Sequence, residues 1–419
     1  MRALEFEELP PEGAVPVVME VKNIREMSMK SRSTASMIVL LGALFWLGGC
    51  AEAEAPLLIG ATMSETGNLT TQGVPARNGY QLCETHVNEE GGLLGREVSF
   101  VIHDDESDPE TAVALYERLI VEEDVDAVMG PYGSTLTEAV AAVTEAHRMV
   151  HISPLAATTS IWEQGRRYLF MVLPPAELFL VGLVEIAADH DLETVAILAE
   201  DALFPRAAAA GAVERARDLG LEVVLEETYP TGTEDFSWVL ERIDAEGVEV
   251  FGMAASSLDD FVVVVDQMRE DGVHVDMFGT SGAVDEFQEA LGEAAEYTYG
   301  LSAWEPGLPH PGIDAFVEAY VQRFGQMPSF HAAGAYGSCQ LFVEAVRRAG
   351  TLDPDALREE LLALETTTVF GDYAVDERGY QTANQGVFIQ WQDGEKLVVW
   401  PAEVATSAPR VPTPPWDER

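Results

Sequence analysis

Apolar residues fall in short runs along the chain, and most runs are followed by a segment in which apolar positions recur every third or fourth residue. Runs at 57–61, 97–103, 125–129 and 149–152 predict strands, and the segments between them predict helices. One helix spans 75–88 and stops at Gly91-Gly92; another opens at Asp108-Pro109 with Ala112, Leu115, Leu119 and Ile120 on its apolar face. Short strands joined by crossover helices make a parallel, doubly wound sheet. Pro174-Pro175 breaks the chain, and a second series of the same kind begins. Its strands are expected at 194–198, 221–225, 248–254 and 275–279, and its helices at 206–219, 236–245 and 258–270. After residues 299–304 the pattern turns helical at 313–324, 332–349 and 354–364. A hairpin of 386–391 and 396–400 turns at Asp393-Gly394, and the tail from 406 onward reads as loose. The fold class is α/β, with two doubly wound units.

In such sheets ligands bind outside the carboxyl ends of the strands. Two breaks lie at those ends and on one edge, Tyr132-Gly133-Ser134 and Leu155-Ala156-Ala157-Thr158. Thr135-Leu136-Thr137-Glu138 matches a capping box, which starts the helix at Thr135. Gly133 permits positive φ, and Ser134 offers a hydroxyl beside the free amides of the first turn. Those amides and the helix dipole favour a carboxylate or another electron-rich oxygen. The plainer alternative is an ordinary capped helix with nothing bound. Thr158, Thr159 and Ser160 add hydroxyls where no helix asks for a cap.

A length of 419 residues and 47% apolar content allow two ordinary domains with real cores. The net charge of −48 excludes nucleic acid as a partner and disfavours anionic lipid surfaces. Lys22, Lys30 and Lys396 are the whole lysine complement. An acidic, lysine-poor surface fits salty surroundings, where screening relieves self-repulsion; a GC-rich coding bias would give the same preference for Arg. Cys83 and Cys339 fall in helical, mostly apolar stretches and are expected as two buried thiols, with a disulfide as the alternative in an oxidising compartment.

Residues 1–28 carry no fold signal. Lys30 and Arg32 precede an apolar run at 37–47, too short to span a bilayer but suited to a signal-peptide core. Leu47-Gly48-Gly49-Cys50 follows and resembles the lipobox of bacterial lipoproteins. Residues 1–49 therefore read as extension and signal peptide starting at Met27 or Met29, Cys50 as the lipidated residue, and 50–56 as a tether.

Cofactor chemistry finds no support. There is no G-x-G-x-x-G after the first strand, no G-x-x-x-x-G-K-[ST] and no G-x-S-x-G. The acidic run 103–108 lacks the ligand spacing and central Gly of a calcium loop and reads as a solvated turn capped by Asp108. His86, His103, His147, His151, His190, His274, His310 and His331 have no motif partners, which disfavours an enzyme.

Over 57–400 the chain resembles class I periplasmic binding proteins of the branched-chain amino-acid-binding type. The landmarks are Thr66-Gly67 with Gly73, Asn88 with Gly91-Gly92-Leu93-Leu94-Gly95-Arg96, and Asp104-Asp105 with Asp108-Pro109. Further along come Gly130 with Ser134, Ile152-Ser153-Pro154, Asp235-Phe236, and Gly371 with Asp376-Glu377-Arg378-Gly379. The resemblance implies two lobes, 57–174 with 305–370 and 175–304 with 371–405, joined by crossings near Pro174, Trp304 and Gly371. It places Gln72, Tyr132, Gly133, Ser134, Leu155, Ala156 and Thr158 on the first lobe's side of a ligand site, and Phe204, Ser257 and Ser281 on the second's. Ser281 and Ser257 depart from the acidic and aromatic residues with which amino-acid binders hold an α-ammonium. Asp285 is a nearby substitute, offset from the position it would fill. A small carboxylate, amide or aromatic acid against Tyr132 and Phe204 fits as well as an amino acid. The role implied is a lipid-anchored solute receptor for an ABC importer permease. A sensor lipoprotein acting on a signalling partner is the alternative.

Overall fold

The computed structural model describes residues 55–282 and 285–419, backbone only at 285 and 286. In the first half, β1 (Leu57–Met63), β2 (Val98–Asp104), β3 (Ala127–Met129), β4 (His151–Ser153) and β5 (Leu169–Met171) form a wholly parallel sheet in the order β2-β1-β3-β4-β5. Helices α1 (Thr70–Glu89), α2 (Pro109–Val121) and α3 (Ser134–Ala146) cross over between its strands. Asp108 caps α2 as expected, its carboxylate accepting from Thr111 N at 2.8 Å, with Pro109 at the first helical position.

The second half repeats the plan. Its strands are β6 (Thr194–Glu200), β7 (Glu222–Tyr229), β8 (Val250–Ala254), β9 (Met277–Thr280) and β10 (Tyr299–Ser302). They pair in the order β7-β6-β8-β9-β10, again parallel. Helices α4 (Val181–Asp189), α5 (Leu203–Leu219), α6 (Ser237–Glu246), α7 (Leu258–Asp271) and the short α8 (Asp285–Leu291) accompany them. Helices α9 (Ile313–Phe324), α10 (Phe330–Ala349) and α11 (Pro354–Ala363) then return to the first half, where α10 lies along α1. A two-stranded ribbon of β11 (Thr366–Thr368) and β12 (Gly371–Tyr373) follows. Finally β13 (Val387–Gln392) and β14 (Glu395–Trp400) join β10 antiparallel, turned by Asp393 and Gly394 at positive φ as expected.

The cysteines correct the sequence reading: Cys83 and Cys339 form a disulfide, with Cα atoms 6.4 Å apart. The reason lies one turn earlier on each helix. A Cβ on Gly79 would stand 2.2 Å from Ala332 O and 3.2 Å from Ala335 Cβ, so α1 and α10 meet there almost backbone to backbone. Residues four positions on, Cys83 and Cys339, are thereby brought face to face.

Other boundaries also differ from expectation. Helix α1 begins at Thr70, which puts Pro75 inside it. The third crossing is not at Gly371. Gly371 pairs within the ribbon, Gly379 O accepts from Met171 N, and Gln381 donates to Val172 O, so the chain reaches the second sheet only at β13. Nor is the tail loose. Thr413 N donates to Asp276 O, Trp416 Nε1 donates to Val273 O, and the Arg419 guanidinium stacks 3.6 Å over the Trp416 ring. Cys50 and the signal sequence lie outside the described residues.

Candidate functional site

The carboxyl ends of the two sheets face one another across a cavity of about 100 Å³. On the first side the pairing of β3 and β4 continues past both strands, as a bridge between Tyr132 and Leu155 and a bond from Gly133 N to Leu155 O at 3.1 Å. That continuation puts the two sequence breaks side by side. Gly133 takes φ +81°, a conformation that disfavours any other residue, and the chain turns there into α3.

The capping box does not form. Helix α3 starts at Ser134, one residue early, with Gly133 in the capping position and no side chain bonded to the helix end. Glu138, which would have closed the box, is held instead by Arg166 and Gln164. The first intrahelical bond runs from Thr137 N to Gly133 O at 3.1 Å, so the amides of Ser134, Thr135 and Leu136 stand ahead of it. Residues 133–136 all line the cavity. A helix end without a side-chain cap, opening on a cavity, suits an anionic oxygen.

Ser134 does more than stand beside those amides. Its Oγ accepts from Ala157 N at 3.2 Å and Thr158 N at 3.3 Å, which fastens the loop after β4 to the start of α3. Gln72, Tyr132 and Leu155 complete the expected wall on this side. Gln72 is buried and its Oε1 has no hydrogen-bond partner among the described residues. Ala156 and Thr158, expected in the wall, are not part of it. Ala156 is wholly enclosed in the core, and Thr158 gives its amide to Ser134 while its own side chain is buried.

The opposite wall brings together Phe204, Ser257 and Ser281, all three expected. Phe204 packs edge-on against Phe179, with ring centroids 4.9 Å apart. Both serines are engaged by the frame. Ser257 caps α7, accepting from Asp259 N, and Ser281 Oγ accepts from Ala255 N at 3.2 Å. The side chain of Asp285 lies outside the described residues.

Sequence reasoning missed Phe179, Phe261, Phe287, Phe330 and His331. The last two open α10, roughly two hundred residues from Tyr132 in the chain, and nothing local marks them as cleft residues. His331 is the only titratable base in the described lining. Burial holds its imidazole uncharged, down at about 3, and the charge of Lys396 acts in the same direction. Burial also pushes the Tyr132 phenol up. No Asp, Glu, Lys or Arg occurs among the described lining residues. Carboxylates do stand behind the Ser256–Ser257 turn, but in structural roles. Glu200 accepts from Ser256 N at 2.8 Å and from the Thr231 hydroxyl, and Asp260 accepts from Tyr229 OH at 2.7 Å. Burial and the neighbouring acids raise Asp260 above the usual carboxylate range.

Comparison with known proteins agrees with this geometry. A family model described as "Periplasmic binding protein" matches residues 56–396. A Leu/Ile/Val-binding protein homolog 7 from Brucella suis is 24% identical over 396 residues, covering 90% of this chain and 99% of the relative. Among solved structures, the LivJ substrate-binding protein from Streptococcus pneumoniae, in complex with isoleucine, superposes with TM-score 0.74 at 22% identity, over 83% of this chain and 100% of that one. A solute-binding protein from R. palustris in complex with benzoate does so with TM-score 0.74 at 18% identity, over 85% and 98%. At these identities the structural likeness speaks to the fold alone. The family match, however, covers all the parallel strands of both sheets and every loop that lines the cavity, and so the chain belongs to the periplasmic binding protein family, in its class I branch.

Proposed function

We propose that the protein is a solute receptor that delivers its ligand to an ABC importer, and that the ligand is a small carboxylate with an apolar or aromatic body and no α-ammonium. One observation carries this reading. The cavity offers an uncapped helix end and aromatic walls but no charged side chain among its described lining residues. A carboxylate is served by the amides of α3, and a ring by Phe179, Phe204 and Phe330. Among the described lining residues an ammonium would find no counter-ion, which is costly in a desolvated cleft. Solved relatives include binders of leucine and isoleucine but also of benzoate and 3,4-dihydroxybenzoate, so the fold accommodates either class. Contacts made only when both halves approach would shift the population toward the closed form.

Matched pairs test the ligand class, namely leucine against 4-methyl-2-oxopentanoate and phenylalanine against phenylacetate, read by thermal shift. The ammonium-free partner is expected to raise Tm more in each pair. Ser134→Ala, which leaves the Ala157 and Thr158 amides unpaired, is expected to weaken binding by about tenfold or more. Amino acids outperforming their partners, with Ser134→Ala unimpaired, would defeat the reading.

We also propose that the mature protein is held on the extracytoplasmic face of the membrane by lipid on Cys50. An intact peptide across Gly49-Cys50 in the exported protein, found by mass spectrometry, would refute it.

A further inference from the structure

The cleft wall holds one titratable base for which the reading above has no use. His331 is 2% exposed and lies in the first turn of α10, on the wall it shares with Tyr132 and Phe330. Its ring meets Tyr132 edge-on with centroids 5.3 Å apart and lies 3.8 Å from Phe330, and Nδ1 is 3.5 Å from Ser329 Oγ. The groups that bear on it electrically come from three elements. Tyr132, from the loop after β3, presents a buried and uncharged phenol. Lys396, on β14, opposes an imidazolium, and it is itself paired at 2.7 Å with Glu305 from the crossing after β10.

A carboxylate seated on the α3 amides brings a negative charge into a cavity whose described lining holds no Lys or Arg. Among the described lining residues His331 is the one side chain able to answer it with a positive charge. We propose that His331 takes up a proton from solvent as a carboxylate binds, so that capture is proton-coupled and favoured in acid. This inference rests on the reading of the cleft as a carboxylate site.

In the empty cleft the imidazole stays uncharged down to about pH 3. An anion beside it raises that value. Between the two values the loaded protein binds one more proton than the empty one. Affinity for a carboxylate therefore rises as pH falls through that window, by up to about tenfold per pH unit. A neutral ligand of the same shape gains nothing.

The experiment is calorimetry of the full mature chain with sodium benzoate and 4-methyl-2-oxopentanoate, with benzamide as the neutral control. It is run at about pH 5 and about pH 8, in two buffers of different ionisation enthalpy at each pH. A neighbouring charge raises the imidazole by about 2–3 units from about 3, so the expected result is uptake of about half a proton or more per carboxylate at the lower pH and near none at the higher. Affinity tightens severalfold in acid for the carboxylates only. His331→Gln, which keeps a hydrogen-bonding side chain but does not titrate, is expected to bind with no uptake and a flat pH profile. The buffer dependence of the unmodified protein stands as evidence even where that variant folds poorly. Carboxylate binding with equal affinity and no uptake at both pH values would overturn the inference and leave the receptor reading intact, as would His331→Gln retaining the uptake. No binding of either carboxylate at either pH would bring down the carboxylate reading and the inference together.

Discussion

Removing the Cys83–Cys339 bridge, as the double variant Cys83→Ala with Cys339→Ala, should lower the unfolding free energy by about 4–5 kcal/mol. The bridge joins residues 256 apart and so closes a loop containing most of the first sheet and all of the second half's parallel strands. Cross-linking restricts the unfolded chain more the longer the loop it closes, and this loop is near the upper end of that scale. The loss should appear as a lower urea midpoint for the variant than for the oxidised protein, with reduced protein following the variant. A loss below about 1 kcal/mol would mean that the bridge does little to the unfolded ensemble. The site has a stake in the result. The bridged helices supply Gln72 from the start of α1 and Phe330 and His331 from the start of α10. Carboxylate affinity should fall with the bridge, though by less than stability, because Gly79 still holds the helix crossing close. A buried disulfide also belongs outside the reducing cytosol, in line with the proposed export.

Much of the frame could be read from local pattern, because buried parallel strands are short apolar runs and their crossover helices carry one apolar face. The same logic placed Tyr132, Gly133 and Leu155 on one edge, since a break after a parallel strand falls at the sheet's carboxyl end. What stayed hidden depended on partners distant in sequence. Nothing near Cys83 says which helix its thiol faces; Gly79 and Ala335 decide that by letting α1 and α10 touch. Thr135 and Glu138 satisfy a capping pattern, yet Arg166 offers the carboxylate a charged partner and wins it. Phe330 and His331 lie just ahead of the helix expected at 332–349, and only the return of α10 to the first half makes them cleft residues. The tail, rich in Pro, carried no periodic signal, but Trp416 and Thr413 donate to backbone carbonyls of Val273 and Asp276 on the second half.

The empty protein should lose stability steeply as pH falls from about 6.5 toward 4, because two histidines are buried uncharged. His151 is wholly enclosed, bonded to Gly130 O and to Thr144 Oγ1, and burial takes it down to about 4 against the pull of the Gly130 bond. His331 is held at about 3. Both side chains take up protons near pH 6.5 in the unfolded chain, so over this window the unfolded state binds about two more protons than the folded one. Stability then falls by up to about 2.7 kcal/mol per pH unit, on the order of 6 kcal/mol by pH 4. Asp105 and Asp260, raised by burial, act in the opposite sense, since their protonation favours the fold. Relief of repulsion in a chain of net charge −48 does the same, and about 1 M salt screens that term while leaving the buried rings untouched. Urea midpoints at about pH 7, 6 and 5 in such salt measure the slope. His151→Gln and His331→Gln should each flatten it by about 1.4 kcal/mol per unit, and a flat profile in the unmodified protein would contradict the burial of both rings. Saturating benzoate separates the two histidines further. A bound anion lets His331 charge more readily inside the fold and reduces its share of the acid loss, while the share of His151, enclosed on β4 against Gly130 and Thr144, remains.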